Sequence, residues 1–111
     1  MATTTSPVSV TPSMDRRTSS VLARFTAAPD VTEEQYEELI RRLEKLGEWP
    51  AQGLEYHVAF RSNGSLRVSE IWDSQEQFDA SVERLMPVLK DVGIELAGEP
   101  VVLEVHNIIQ R

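Results

Sequence analysis

The chain has 111 residues, a formal net charge of −7 and no cysteine. That length suits one domain with one core, and the missing cysteines exclude thiol catalysis, thiolate metal sites and iron–sulfur clusters. The acidic balance lacks the basic footprint that nucleic acid or an anionic membrane surface requires, and no apolar run reaches the ~20 residues of a membrane helix, so a cytoplasmic domain is expected.

Residues 1–18 read as a disordered tail, because Met1 to Ser13 is almost all Thr, Ser, Pro, Ala and Val without apolar periodicity. The tail lacks the basic start and apolar block of a secretory signal, and Met14 is a second candidate start. The domain is expected over 19–111. Its first strand is the apolar-rich run Ser19 to Thr26, ended by Pro29-Asp30. A helix follows. Thr32 and Gln35 have the spacing of a capping box, with Val31 and Tyr36 at the staple positions. Tyr36, Leu39, Ile40, Leu43 and Leu46 mark its buried face, and Gly47 its left-handed end.

Glu48 to Gly53, with Trp49-Pro50, reads as a loop and Leu54 to Arg61 as a second strand. The turn Ser62-Asn63-Gly64-Ser65 carries the strongest short hairpin signal and leads into a third strand, Leu66 to Trp72. Asp73 or Ser74 caps a second helix, with Glu76 or Gln77 completing the box. Phe78, Val82, Leu85, Met86, Leu89 and Val92 form its buried face, Pro87 predicts a kink or break, and Gly93 closes it. The last strand runs from Val101 to about Ile109.

This order, strand–helix–strand–strand–helix–strand, predicts an α+β ferredoxin-like βαββαβ sheet. Right-handed crossovers put both helices on one face. The Asn63-Gly64 turn sets the hairpin register: Arg61 opposite Leu66, Ala59 opposite Val68, His57 opposite Glu70, Glu55 opposite Trp72. With alternating side chains, one face carries His57, Ala59, Leu66, Val68, Glu70 and Trp72. The other carries Leu54, Tyr56, Val58, Phe60 and Ile71. Helices cover only one of two apolar faces, so a homodimer through Tyr56, Val58, Phe60 and Ile71 is expected.

The element order, the length and the run Glu70-Ile71-Trp72 followed by Asp73-Ser74-Gln75-Glu76-Gln77-Phe78 resemble the dimeric α+β barrel superfamily, and within it the antibiotic-biosynthesis-monooxygenase-like domains. The resemblance spans roughly residues 19–110. It implies a barrel formed by two sheets and a Trp72 side chain that lines a cavity on the helix side. That makes the His57 face the pocket and the Tyr56–Phe60 face the dimer interface. The superfamily holds cofactor-free oxygenases, haem-degrading enzymes, isomerases, polyketide cyclases and members without known activity, so fold does not fix function.

His57 and Glu70 are expected as cross-strand neighbours with Cβ atoms about 4.5–5.5 Å apart. A carboxylate beside an imidazole fixes its tautomer and makes a proton shuttle in an apolar cavity. The same pair is also what a half-buried sheet uses to satisfy two polar groups. Trp72 offers a stacking wall for a small aromatic or apolar molecule, or simply core volume. Ala59, Val68 and His106 complete the candidate substrate-binding set.

His57, Glu70 and His106 have the residue types of a two-His-one-carboxylate metal site. In the split order, however, the last strand lies two strands from the third, about 9–10 Å away, and no metal is expected. Haem-degrading relatives take an iron ligand from a second-helix His, and Ser74 to Val92 contains none, so haem and other cofactors are not expected either. The candidate functions are a cofactor-independent monooxygenase for a small aromatic or polyketide-like substrate, an isomerase or cyclase, or a non-catalytic ligand-binding or accessory dimer.

Overall fold

The computed structural model describes residues 20–110. The expected tail over 1–18, the alternative start at Met14 and the expected strand start at Ser19 lie outside the described residues. The elements are β1 (Val21–Thr26), α1 (Glu33–Lys45), β2 (Leu54–Ser62), β3 (Ser65–Trp72), α2 (Gln75–Asp91) and β4 (Val101–Glu104). They form one four-stranded sheet in the order β2-β3-β1-β4, antiparallel throughout. This is the expected α+β ferredoxin-like fold.

Local chemistry explains each boundary that matters. Thr32 caps α1 by accepting from the Gln35 N–H, and the Gln35 side chain returns the bond to the Thr32 N–H, so the capping box is complete. Gly47 takes φ 76° at the other end. Leu46, expected on the buried face, is the C-cap and points to solvent, because the helix unwinds one residue earlier than its apolar spacing. Ser74 caps α2 through the Gln77 N–H.

Of the expected kink or break at Pro87, the break does not occur: α2 runs on through it to Asp91. Pro87 and Glu83, one turn apart, both face solvent, so the Glu83 carbonyl left without a donor has water to bond. Met86 also faces out, not into the core.

The Asn63-Gly64 turn has φ 52° and 79°, both positive as a two-residue type I′ hairpin requires. It sets Arg61 opposite Leu66, Ala59 opposite Val68 and His57 opposite Glu70, as expected. Beyond His57 the register shifts between Leu54 and Tyr56. Trp72 therefore pairs with Leu54, not Glu55, and Leu54 turns inward to pack on the core near Trp72. The bulge lies on the far side of His57 from the turn and leaves the His57–Glu70 register intact.

β4 ends at Glu104, short of the expected Ile109, and the Val105 N–H bonds to the Ser20 carbonyl before the chain leaves the sheet.

The core falls into two clusters under the helices. Leu39 and Leu43 of α1, Val88 and Leu89 of α2 and Leu66 of β3 anchor one. Val21, Ala23, Trp72 and Phe78 form the other. Truncating a residue such as Leu43 to Ala would cost about 2–5 kcal/mol. The opposite sheet face stays bare: Tyr56 is 53% exposed, Phe60 37%, Val101 52% and Leu103 46%. Among the described residues no helix is long and apolar enough to cross a membrane.

Candidate functional site

A cavity of about 90 Å³ lies between sheet and helices, lined by members of both core clusters. Leu39, Ile40 and Leu43 of α1 and Leu85 and Leu89 of α2 form its helical wall. Phe25, Leu66 and Val68 form its floor. The volume exceeds what a single water needs several times over.

Four polar side chains cross this apolar space in series. Alternation along β3 aims Glu70 and Trp72 to the same side, and the Trp72 Nε1–H donates to Glu70 Oε1 at 2.9 Å. The other carboxylate oxygen lies 2.6 Å from His57 Nδ1. His57 Nε2 lies 2.7 Å from the Tyr36 hydroxyl. With Glu70 as a carboxylate, which only accepts, Nδ1 is the ring nitrogen that carries the proton. In the neutral imidazole Nε2 then accepts from the Tyr36 O–H. Glu70 is 5% exposed and still has a donor on each oxygen, which is how a buried carboxylate remains tolerable.

The position of His57 is enforced from three directions. The hairpin holds its backbone opposite Glu70. The Tyr36 ring lies nearly parallel to the imidazole, at 13° and 6.0 Å between centroids. The Trp49 ring meets it edge-on, at 84° and 4.8 Å. Trp49 sits on the loop after α1, which Glu48 ties to α2 through a 2.7 Å ion pair with Arg84. The Gly53 carbonyl closes the other end of this loop by accepting from the Asp73 N–H. Burial, and then the Glu70 charge, push the Tyr36 phenol above its ordinary value of 10.0, so Tyr36 stays a neutral hydroxyl at physiological pH.

Of the expected site residues, His57, Glu70, Trp72 and Val68 line the cavity together. Ala59 faces the helix side but is not among the lining residues, and His106 is exposed beyond the end of β4, away from the cavity. Neither therefore lines this cavity. His106 misses because β4 stops early. Tyr36, expected in helix packing, and Trp49, expected in a loop, also line the cavity. A buried phenol needs a partner for its O–H, and that was the available signal for Tyr36. Among the described residues no group of three His, Asp or Glu side chains is placed to hold a metal ion.

No family model matches the sequence, and no curated protein matches it. Solved structures do resemble it. A variant of SnoaB, a cofactor-independent oxygenase from Streptomyces nogalater, is 13% identical with a TM-score of 0.54, covering 83% of this chain and 96% of its own. A candidate antibiotic biosynthesis monooxygenase from Deinococcus radiodurans is 14% identical with a TM-score of 0.53, covering 82% and 97%. The protein YjcS is 15% identical with a TM-score of 0.55, covering 79% of this chain and 100% of its own. At such identities the likeness establishes the fold: the chain has the α+β fold of the antibiotic-biosynthesis-monooxygenase-like proteins.

Proposed function

We propose that this protein is a cofactor-independent monooxygenase acting on a small, electron-rich aromatic or polyketide-like molecule held between the sheet and the helices. One observation carries the reading: a hydrogen-bonded series Trp72–Glu70–His57–Tyr36 inside an otherwise apolar cavity. The fold shared with SnoaB supports it by analogy.

In this reading the substrate supplies the electrons and the protein supplies a base, an orientation and a dry volume. Removing a proton from a phenol or enol leaves an electron-rich anion that reduces O2. For a phenol going to a quinone the balance is complete. One oxygen atom enters the ring as the new carbonyl, and the other leaves as water with the ring C–H and O–H hydrogens. His57 receives the proton, Glu70 holds its tautomer and balances the imidazolium charge, and Trp72 orients the carboxylate. No metal or organic cofactor takes part.

The protein works as a homodimer joined through the bare sheet face that carries Tyr56, Val58, Phe60 and Ile71. The exposure of this face supports that, since soluble monomers seldom leave such a patch in water.

A panel of anthrone-type substrates and phenols with a free para C–H in an oxygen electrode tests the activity. The expected result is one O2 consumed per quinone formed, unchanged by prior dialysis against a chelator and lowered about 10²–10⁴-fold in His57→Ala. Ligands that bind without any oxygen uptake would remove the oxygenase reading. One feature favours a second reading, an isomerase or a ligand-binding accessory dimer. Every member of the series already has a partner, and proton transfer or simple binding needs no oxygen.

A further inference from the structure

Both nitrogens of His57 are engaged, Nδ1 on Glu70 and Nε2 on Tyr36. A ligand in the cavity therefore finds no free imidazole nitrogen. It finds Tyr36, which lines the cavity and whose hydroxyl, while donating to Nε2, keeps its oxygen free to accept. We infer that Tyr36, not His57, is the catalytic residue that meets the ligand: its oxygen accepts a hydrogen bond from a ligand O–H and relays that proton to His57, so the site selects molecules bearing a phenolic or enolic hydroxyl.

The step balances. The ligand O–H bond breaks as a new O–H bond forms on the Tyr36 oxygen, while the Tyr36 proton moves to Nε2. The ligand becomes an oxyanion, the imidazole an imidazolium, and Glu70 remains a carboxylate beside it. Tyr36 ends as it began, a neutral phenol, consistent with the burial that disfavours its anion. The remaining charged groups lining the cavity, Glu48 on the loop and Arg84 on α2, pair with each other at 2.7 Å and contribute no net charge. The Trp49 ring packs against the imidazole, 4.8 Å away between centroids. A ketone or an ether of the same shape offers the Tyr36 oxygen no proton, and one hydroxyl separates a ligand from a poor fit.

This inference rests on reading the series as a proton-transfer centre, but its test needs no oxygen chemistry. The probes are 4-nitrophenol, whose phenolate absorbs in the visible, and 4-nitroanisole, its methyl ether. The wild-type protein is expected to bind 4-nitrophenol and to ionise it, lowering its apparent pKa by about one unit. It should bind 4-nitroanisole about five- to tenfold more weakly. Tyr36→Phe should still bind the phenol but leave its ionisation as in free solution, and Glu70→Gln should lose the shift as well. Circular dichroism of both variants confirms that they fold. Retention of the shift in Tyr36→Phe would show that the ligand reaches His57 directly and overturn the inference. Equal binding of phenol and ether, or no binding of either, would overturn it too. Ionisation of the probe with no O2 uptake by any phenol would sink the oxygenase reading alone and leave the Tyr36 assignment standing.

Discussion

His57 and Glu70 stand directly opposite each other on β2 and β3, and the imidazole Nδ1 meets a carboxylate oxygen at 2.6 Å. The second oxygen of the same carboxylate takes the Trp72 N–H. One buried carboxylate thus satisfies two ring donors from two positions, and it is the junction of the proposed relay.

Glu70→Gln tests that junction. An amide has one acceptor oxygen where the carboxylate has two, so the Trp72 N–H and a His57 Nδ1–H no longer have an acceptor each in this buried setting. The expected cost is about 1–3 kcal/mol, read as a lowered midpoint in urea with an unchanged slope. A midpoint equal to wild type would show that the carboxylate is not needed to satisfy both donors.

The bare sheet face predicts assembly. Light scattering should return twice the 12.5 kDa chain mass at micromolar concentration. Phe60→Asp places a charge in the middle of that face and should yield a folded monomer, because an unpaired carboxylate buried between two sheets is not tolerated. A monomer in the wild type would end the sheet-to-sheet dimer.

Arg61 clamps the hairpin to the start of α1. It bonds both carboxylate oxygens of Glu33 at 2.9 and 3.0 Å and reaches the Val31 and Gly64 carbonyls. The Arg61 hydrogen bond holds the Glu33 carboxyl below its ordinary 4.5. A depressed carboxyl contributes stability that is present above the unfolded value and is lost as pH falls through the folded one. The gap in melting temperature between wild type and Glu33→Gln should therefore be full at neutral pH and close below pH 4.5. It should also be small and shrink with salt, since the pair is exposed. A gap that widened with acid would contradict the assignment.

The pairing of His57 with Glu70 was readable from residue types because a single strong turn lies between them. Asn63-Gly64 sets the register, and five residues of β2 carry it to His57 without interruption. Past His57 that control runs out. The bulge at Glu55 lies beside Gly53, at φ 89°, and the Gly53–Asp73 bond, neither of which has a periodic signature. The loop of Trp49 is similar: its place beside His57 is set by the Glu48–Arg84 ion pair, a contact between residues 36 positions apart. Tyr36 was visible as a buried helical position, but which polar group it meets depends on how α1 crosses the sheet. The end of β4 was invisible because Val105, Ile108 and Ile109 keep an apolar, strand-like composition after the pairing has ceased.

The central claim is that His57 is the terminal proton acceptor of a relay that begins at Tyr36. Ring ¹⁵N NMR of His57 tests it most directly, at a pH where the free protein carries one imidazole proton. The free protein should show that proton on Nδ1, with Nε2 as the acceptor. On saturation with 4-nitrophenol, Nε2 should become protonated, so that both ring nitrogens carry protons while the ligand absorbs as its phenolate. An imidazole that keeps a single proton with the ligand fully bound would contradict the account.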